Sequence, residues 1–432
     1  MIDLAIRNGR VLDPVRSLDV IGDVLIDDGK IMGVASPGEG PRARAVLDAA
    51  GLWVTPGLID MHVHLREPGA EHKETIASGA AAAVAGGFTT VAAMANTEPV
   101  NDDPEVTRWI RARAKEVGLA RVVPIAAVTR SLAGAELTDF VALRRAGAVA
   151  FSDDGMPIMD EAVMRRALEA ASELGMPIIA HEEDRTLSTG AAMHAGPIAE
   201  RLGMCGVVGE SEARMIARDC RLAVELGARL HIAHVSTAEG IAHVRRARAT
   251  ARGVSAEATP HHFTLDVGAV EAHGPNAKMN PPLRDPADVE AVRDALADGT
   301  IEAIASDHAP HHADEKARGL AAAPFGIVGL ETAVGLTLAL VHAGRLSPAT
   351  AVRALTIGPA RILGLTSGQL MRGAAADVSL LDPDELWSVE PVAFRSRSRN
   401  TPFGGTRLRG RAIGVCIGGR VIGERSEARV RR

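Results

Sequence analysis

LIDMHVH, residues 58–64, is an apolar run that ends in two histidines separated by one residue. Successive side chains of a β-strand alternate between its faces, so His62 and His64 are expected to point to the same side. Two neutral imidazoles on one face form a ready pair of metal ligands, for zinc in particular. A surface pair of histidines on a strand is the alternative interpretation of these residues taken alone.

Seven further short apolar runs follow, and longer amphipathic stretches separate them. This β-α rhythm is typical of a parallel sheet that is buried on both faces. Stretches 160–175 and 285–299 begin with Asp and end with Gly, as helix start and stop signals do. Eight runs predict an α/β protein with a (β/α)8 TIM-like barrel, and an open doubly wound sheet is the alternative. The runs are LIDMHVH (58–64), TTVAAMA (89–95), RVVPIAAV (121–128), AVAFSDD (148–154), MPIIAHE (176–182), ARLHIAHV (228–235), VSAEATPHH (254–262) and IEAIASDHA (301–309).

The two ends of the chain share a texture of short β segments broken by turn-forming pairs. Asn8-Gly9, Asp28-Gly29 and Gly418-Gly419 suit tight hairpin turns. We therefore expect one small β domain assembled from both chain termini. The predicted division is residues 1–54 plus 368–432 for this small β domain and residues 55–367 for the catalytic barrel. The last nine residues, ERSEARVRR, are predicted to be a solvated tail.

Composition excludes several classes of protein. The chain has 432 residues, 47% of them hydrophobic, which is enough for one barrel-sized domain and a smaller one. Its 48 Lys and Arg against 54 Asp and Glu give a formal charge of -6, and the scattered arginines predict no nucleic-acid partner. Cys205, Cys220 and Cys416 lack C-x-x-C spacing, which indicates a reducing compartment. No run approaches the roughly 20 apolar residues of a membrane helix, so we expect a cytoplasmic protein that does not bind membranes.

Polar residues end several of the other runs, at the edge where the active sites of (β/α)8 barrels lie. Taken alone, an Asp-Gly pair is usually a turn, and a histidine in an apolar strand is usually a hydrogen-bonded core residue. Imidazoles and carboxylates delivered together from separate strand ends instead predict a hydrolytic centre with one or two metals. The residues are Asp153, Asp154, His181, His231, His234 and Asp307.

The pattern leaves some choices between neighbouring residues open. Asp153 and Asp154 compete for the role of an anionic bridge between two metals, because adjacent strand residues face opposite ways. His231 and His234 also differ in facing, and His234 is favoured because it lies nearer the end of its strand. Two histidines that close the seventh run could either support the site from behind or simply pack. They are His261 and His262.

A series of motifs runs through the chain in a fixed order. They are PGLIDMHVHLREPG, AMANTEP, FSDDG, AHEED, HIAHVS, ATPHHF, MNPPLR, SDHAPH, PFG and GLET. In this order, the motifs resemble the dihydroorotases of the amidohydrolase superfamily, in particular the bacterial type whose metal bridge is an aspartate. The resemblance covers nearly the whole chain. It implies metal-dependent opening of the L-dihydroorotate ring to N-carbamoyl-L-aspartate, and the reverse ring closure used in the synthesis of UMP.

The resemblance also assigns roles to positions of this chain. It implies one or two Zn²⁺ ions, held by His62, His64 and Asp307 on one side, by His181 and His234 on the other, and bridged by Asp154. Asp307 would also be the general base. Arg66 has the guanidinium that suits a substrate carboxylate. The implied substrate contacts are His64, Arg66, Asn96, Asn280, His311, Phe325 and Gly326.

Residues 308–326, polar and then rich in small side chains, are predicted to form a mobile loop that closes over the site. Hydantoinases, dihydropyrimidinases and allantoinases are rival interpretations, but they use a carbamylated lysine, and residues 147–159 contain no lysine. A catalytically silent partner of aspartate transcarbamoylase is the rival from another class. Such chains usually lack the metal ligands, whereas every ligand position is filled here. An active homo-oligomer that also binds a transcarbamoylase stays open.

Overall fold

The computed structural model describes residues 1–431. Its strands are β1 (Ile2–Asp13), β2 (Leu18–Asp27), β3 (Lys30–Ala35), β4 (Ala43–Asp48), β5 (Trp53–Pro56), β6 (Leu58–Val63), β7 (Phe88–Ala93), β8 (Arg121–Ala126), β9 (Ala150–Phe151), β10 (Ile178–Ala180), β11 (Met193–His194), β12 (Gly206–Val207), β13 (Leu230–Ile232), β14 (Val254–Ala258), β15 (Ala303–Ile304), β16 (Val378–Ser388), β17 (Arg407–Ile417), β18 (Arg420–Ile422) and β19 (Val430–Arg431).

The α-helices fall mainly between the barrel strands and after them. They are α1 (Ile76–Ala85), α2 (Pro104–Val117), α3 (Phe140–Ala146), α4 (Glu161–Glu173), α5 (Arg185–Ser188), α6 (Pro197–Arg201), α7 (Glu210–Leu226), α8 (Ala238–Thr250), α9 (Ala269–His273), α10 (Pro286–Asp298), α11 (Ala313–Lys316), α12 (Gly319–Ala322), α13 (Ala333–His342), α14 (Pro348–Leu355), α15 (Ile357–Leu363) and α16 (Glu424–Glu427).

Eight parallel strands form the barrel, in the order β15-β14-β13-β10-β9-β8-β7-β6. The two edge strands meet where Val63 forms a parallel bridge with His308. There the His64 backbone N–H donates to the His308 carbonyl oxygen at 2.8 Å. The sheet is therefore nearly closed, which confirms the predicted (β/α)8 barrel and excludes the open doubly wound sheet. Each of the eight apolar runs supplies one of these strands.

Local signals set the ends of the helices that surround the barrel. The Asp160 carboxylate accepts hydrogen bonds from the backbone N–H groups of Ala162 and Val163 and so caps α4. Gly299 ends α10 in the left-handed conformation, with φ of 80°, where a side chain would be strained. The Asp-to-Gly pattern of stretches 160–175 and 285–299 thus indicated two helices correctly.

The chain termini build a second sheet, with strand order β18-β17-β16-β5-β1-β2-β3 and with β4 and β19 beside β1. Strand β16 pairs antiparallel with β5, which joins the C-terminal half of this sheet to the N-terminal half. Its own apolar core includes Ile6, Val24, Val54 and Leu380. The prediction of a small β domain made from both termini is confirmed, and its exact limits at residues 54 and 368 stay a prediction.

Two of the three expected hairpin turns form. Asp28 and Gly29 have φ of 50° and 65° and connect β2 to β3, while Gly418 and Gly419 connect β17 to β18. The turn predicted at Asn8-Gly9 is wrong, because the pair lies inside β1 at a β-bulge, with a register shift between Ile6 and Gly9. Left-handed Asn followed by Gly suits a bulge as well as a turn.

The prediction that residues 424–432 are a solvated tail is also wrong for the part that the structure describes. Residues 424–427 form helix α16, in which Ser426 is fully buried. Strand β19 then pairs antiparallel with β4, with Val430 opposite Leu47. The physical reason is that β4 bonds to β1 along one side only, so its other edge needs a partner.

The structure bears on two of the sequence-based expectations, those on membrane helices and on the cysteines. Within residues 1–431, no helix is both long and apolar enough to cross a lipid bilayer. Cys205, Cys220 and Cys416 are free thiols, and burial raises the pKa of Cys220 well above its usual value and the pKa of Cys416 to about 12.

Candidate metal centre and active site

The Asp154 carboxylate lies at the centre of four histidines at the C-terminal end of the barrel. Its oxygens are 3.4 Å from His62 Nε2, 3.4 Å from His64 Nε2, 3.5 Å from His181 Nδ1 and 3.4 Å from His234 Nε2. These atoms form two groups that could each hold a metal ion, and Asp154 belongs to both groups. An anion shared between two sites has the geometry of a bridging ligand.

Asp307 borders the first of these two groups. Its Oδ1 atom lies 3.1 Å from His64 Nε2 and 3.6 Å from His62 Nε2. The carboxylate is buried at the end of β15, with its backbone in the left-handed region at φ of 46°. His234 and Arg66 share this strained conformation, with φ of 34° and 60°. Strained backbone outside glycine concentrates at functional sites, because the surrounding structure must hold it in place.

The structure separates Asp154 from its neighbour Asp153. The Asp153 carboxylate turns away from the histidines and accepts hydrogen bonds from the backbone N–H groups of Val128 at 2.8 Å and Thr129 at 3.0 Å. Burial raises the pKa of Asp153 to about 6, although these hydrogen bonds oppose the rise. Asp153 therefore anchors the end of β8, and Asp154 is the carboxylate that faces the cluster.

Opposite charges in the cluster stabilise each other. Burial alone would raise the pKa of Asp154, but His62 and the other imidazoles outweigh it and hold that pKa well below its usual range. Burial likewise opposes the charge of His181, yet hydrogen bonds to Asp154 and Glu183 raise the pKa of His181 to about 10. A divalent cation competes with these protons for the same lone pairs, so binding it would release them.

Two buried polar atoms of the cluster also indicate that the site fits a metal ion. His62 Nε2 and Asp154 Oδ1 are buried and have no hydrogen-bond partner among residues 1–431. An unpartnered buried polar atom is costly unless something else binds it. Four imidazoles and two carboxylates are nitrogen and oxygen ligands that suit zinc. The residues present therefore fit a divalent metal.

The other histidines near the site lie outside the ligand groups. His231 points behind the cluster, with Nε2 3.2 Å from Glu257 and Nδ1 2.9 Å from the Ser255 hydroxyl. His262 bonds the Pro281 carbonyl oxygen at 3.0 Å, next to Asn280, and burial lowers the pKa of His262 to about 4. Burial lowers the pKa of His261 well below its usual value. His262 thus supports the loop that carries Asn280.

Two side-chain amides contact different histidines of the cluster. The Asn96 Oδ1 atom lies 2.8 Å from His64 Nδ1, so it accepts that ring proton and leaves the Asn96 amide N–H groups free to donate. Asn280 donates from Nδ2 to Glu183 at 3.0 Å and lies 3.2 Å from His181 Nε2. Its carbonyl oxygen remains available as an acceptor. Each amide therefore contacts a histidine of the cluster and keeps one polar group for a ligand.

Arg66 and His311 lie together beside Asp307. The Arg66 guanidinium is half-buried, donates to the Pro310 carbonyl oxygen at 3.3 Å and lies 3.4 Å from His311 Nε2. His311 Nε2 in turn bonds the Phe325 carbonyl oxygen at 2.7 Å. Burial and the charge of Arg66 lower the pKa of His311 to about 2, so its imidazole is neutral at physiological pH. This side of the site combines one fixed positive charge with a neutral ring.

A family model described as dihydro-orotase-like matches residues 51–240. A protein of Anaeromyxobacter dehalogenans strain 2CP-1, named dihydroorotase, is 51% identical over 428 residues, which are 98% of this chain and 99% of that protein. A dihydroorotase of Pelotomaculum thermopropionicum is 50% identical over 97% of this chain and 98% of its own. The chain belongs to the dihydroorotase family.

Solved structures of more distant enzymes share the fold of this chain. The L-hydantoinase of Arthrobacter aurescens superposes with a TM-score of 0.90 at 24% identity and covers 98% of this chain and 97% of its own. A D-hydantoinase of a Thermus species gives a TM-score of 0.82 at 25% identity, with coverage of 98% and 97%. These similarities show that the barrel and the terminal sheet form one shared architecture.

In this dihydroorotase-family chain, two buried lysines hold the loop of residues 308–326. Lys316 Nζ donates to the carbonyl oxygens of Pro324 and Gly326, both at 2.9 Å. Lys278 Nζ donates to the carbonyl oxygens of Leu320 and Ala321, and lies 4.5 Å from the centre of the Phe325 ring. The loop contains the short helices α11 and α12, and its predicted mobility stays a prediction.

Gly326 occupies a position where a side chain does not fit. Its φ is 115°, and a Cβ atom would come within 2.5 Å of the Ala309 Cβ atom. Its N–H donates to the Lys278 carbonyl oxygen, and its carbonyl oxygen accepts from Lys316 and from Asn400. Both backbone groups are therefore engaged within the protein, so Gly326 shapes the site through its lack of a side chain.

The buried Lys316 ammonium is expected to make the stability of the folded chain depend on pH. Burial and the charge of Lys278 lower the pKa of Lys316 to about 7, whereas an unfolded lysine titrates near about 10.4. The unfolded chain thus binds more protons between these values, and stability from this site rises as pH increases through that window. We expect the melting temperature of the wild type, relative to Lys316→Met, to increase between about pH 6.5 and about pH 9.

Calorimetric melting of both proteins at both pH values measures this difference. Lys115→Met, at an exposed position of α2, is the matched control and should show no such trend. A melting difference between wild type and Lys316→Met that is the same at both pH values would contradict the assignment.

Several residues that shape the dihydroorotase site did not stand out in the sequence. Glu183 lies inside the AHEED motif, and Glu257 lies inside the apolar run of residues 254–262, where a carboxylate among apolar side chains was the available signal. Asn400 lies far beyond the last barrel strand in the sequence, and no motif around it marks it as a site residue. Its amide nevertheless bonds the carbonyl oxygens of Ala309 and Gly326, and its Oδ1 atom accepts from the His311 N–H.

Proposed function

We propose that this chain is a metal-dependent dihydroorotase, a hydrolase that interconverts L-dihydroorotate and N-carbamoyl-L-aspartate in pyrimidine (UMP) biosynthesis. The observation that carries the proposal is the Asp154 carboxylate, which lies 3.4 to 3.5 Å from four imidazoles. Full-length relatives at about half identity carry the dihydroorotase name, which supports the same activity. The aspartate at this position separates the chain from enzymes that need a carbamylated lysine.

One or two Zn²⁺ ions are the proposed cofactor. His62, His64 and Asp307 would hold one ion, His181 and His234 the other, and Asp154 would contact both. When bound, such cations lower the pKa of water and polarise an amide carbonyl group. The short distances from Asp154 to both histidine pairs support a two-ion centre, and the same ligands also serve a single ion.

Asp307 is the proposed general base. Burial alone would raise the pKa of Asp307, but His62 and His64 outweigh it and lower that pKa, so the carboxylate is ionised and can accept a proton. It takes a proton from the attacking water as the new C–O bond forms, and returns that proton to the ring nitrogen as the C–N bond breaks. In ring closure, the same carboxylate accepts the proton of the attacking ureido nitrogen.

Arg66 and Asn96 are the proposed partners of the substrate carboxylate. The guanidinium offers two parallel N–H donors that match a carboxylate. The amide N–H groups of Asn96 can add a third donor, because His64 fixes the orientation of that amide through the Asn96 oxygen. Asn280 presents its carbonyl oxygen and can accept a ring N–H. Neutral His311 and the exposed Phe325 ring complete the side of the pocket nearest the loop.

Arg66 gives the sharpest test of substrate class. We expect Arg66→Met to lower kcat/KM for L-dihydroorotate about 100-fold, mainly through KM, because hydrogen bonds to charged groups contribute about 1.5 to 3 kcal/mol each. The slow hydrolysis of 5,6-dihydrouracil, which has the same ring without the carboxylate, should not fall. Steady-state kinetics on both substrates measure the ratio, with Arg130→Met at an exposed position as the control. Equal losses on both substrates would contradict a carboxylate contact.

The proposal for the wild type is tested with a panel of cyclic amides. The zinc-loaded chain should open L-dihydroorotate far faster than hydantoin or allantoin, as followed by ultraviolet absorbance. A metal-loaded chain that is inert on dihydroorotate but active on hydantoins would contradict the substrate assignment. Inertness on all of them would favour the alternative of a silent transcarbamoylase partner.

The proposed setting is the cytoplasm, where free thiols persist. The substrate is a small molecule, and a homo-oligomer is expected. Association with aspartate transcarbamoylase stays a prediction.

A further inference from the structure

A buried carboxylate lies directly behind the candidate metal centre. Glu257 comes from strand β14 and is fully buried. Its Oε1 atom is 2.7 Å from His62 Nδ1, the ring nitrogen on the side away from Asp154 and Asp307. A carboxylate accepts hydrogen bonds and cannot donate them, so His62 must place a proton on Nδ1. The unprotonated Nε2 atom then faces Asp154 at 3.4 Å and Asp307 at 3.6 Å, where it could bind a metal ion.

The second carboxylate oxygen of Glu257, Oε2, is also fixed by a histidine. Its Oε2 atom lies 3.2 Å from His231 Nε2, and His231 Nδ1 lies 2.9 Å from the Ser255 hydroxyl. The two imidazoles fix the rotation of the carboxylate between them. Ser255, His231, Glu257 and His62 therefore form one chain of side-chain hydrogen bonds.

The same carboxylate reaches the second group of ligands. The backbone N–H of His234 lies 3.4 Å from Glu257 Oε1. His234 has a left-handed backbone with φ of 34°, which is strained for a residue with a side chain. A single carboxylate thus contacts the ring of one proposed ligand and the backbone of another.

We infer that Glu257 is a positioning residue of the metal centre, which fixes the proton on His62 Nδ1 and so presents His62 Nε2 to the metal. Carboxylates behind metal-bound histidines raise the basicity of the imidazole, and their loss typically costs about 10- to 100-fold in metal affinity. His231 and Ser255 act one step further back by holding Glu257 in place. This inference rests on the proposed metal centre and does not depend on the identity of the substrate.

Zinc affinity of the purified full chain is the first measurement, by competition with a chromogenic chelator. We expect Glu257→Ala to bind Zn²⁺ about 10- to 100-fold more weakly than the wild type. Glu257→Gln should fall between them, because its amide oxygen can still accept from His62 but carries no charge. Asp13→Asn, an equally buried carboxylate of the terminal sheet, is the matched control for stability and should bind zinc normally.

The second measurement reads the hydrogen bond itself in zinc-loaded protein labelled with ¹⁵N-histidine. The wild type should show a low-field imidazole N–H that exchanges slowly with solvent and that shifts in Glu257→Gln. A merely structural role of Glu257 would lower the melting temperature without moving this resonance. Folded variants that bind zinc like the wild type would overturn the inference. A wild type that binds no zinc would instead overturn the proposed metal centre, so the two failures are distinguishable.

Discussion

Asp307→Asn will lower kcat for the ring opening of L-dihydroorotate by about 1,000-fold, within the usual range for the loss of a general acid-base group. The amide has nearly the shape of the carboxylate, so the contacts with His64 and His62 are kept in part. It cannot accept the proton of the attacking water, however, and cannot pass that proton to the leaving ring nitrogen. Both directions of the reaction should slow together, because the same group transfers the proton in each.

Rapid kinetics with protein of known zinc content separate this effect from the loss of a ligand. Asp153→Asn is the matched control, because Asp153 is equally close in sequence to the centre but bonds the backbone of Val128 and Thr129. It should retain kcat within about tenfold of the wild type. An Asp307→Asn protein that holds its metal and keeps a wild-type kcat would contradict the proposed role.

Asp154→Ala will have the largest effect on the metal itself. The carboxylate is the only group that contacts all four imidazoles, among the residues described here, so its loss removes an anionic ligand from both sites. We expect the zinc content per chain to fall to a small fraction and the activity to fall by at least about 10⁴-fold. Elemental analysis after dialysis against free zinc, together with dihydroorotate hydrolysis, measures both quantities.

A comparison of Asp153→Ala with Asp154→Ala identifies which aspartate bridges the two ligand groups. Asp153→Ala should destabilise the end of β8 while it leaves the zinc content near that of the wild type. If Asp153→Ala lost the metal and Asp154→Ala kept it, the bridging role would belong to the other aspartate. Circular dichroism of both variants confirms that each is folded before the metal is counted.

Much of the fold could be predicted because short apolar runs and amphipathic stretches alternate along the chain. A buried parallel strand must be apolar throughout, so the eight runs marked the barrel strands directly. Because barrel strands are parallel, their polar C-terminal ends meet at one edge. The sequence therefore indicated that His62, His181, His234 and Asp307 would lie close together, and the structure brings them together around Asp154.

The choices that sequence left open depend on where a side chain points after the strand has ended. Alternation of faces could not choose between Asp153 and Asp154, because both lie beyond β9. Hydrogen bonds from the end of β8 turn Asp153 away. The Asn8-Gly9 pair was misinterpreted because a left-handed Asn-Gly unit serves bulges as well as turns, and only pairing with β2 distinguishes them.

Contacts between residues far apart in the sequence could not be predicted from the sequence either. Asn400 bonds the loop that contains His311 and Gly326, although 89 positions separate it from His311 in the sequence. Glu257 contacts His62 because closure of the barrel brings β6 next to β15, so that only β15 separates β6 from β14. Such partners are set by the closure of the barrel, and local sequence patterns carry no record of them.

Ring opening of L-dihydroorotate by the purified chain, before and after chelation and again after zinc is restored, tests the central claim most directly. The proposed function predicts activity that disappears with the metal, returns with zinc and is absent from Asp154→Ala. Turnover that survives complete removal of metal, or a zinc-loaded chain that leaves L-dihydroorotate unchanged, would contradict it.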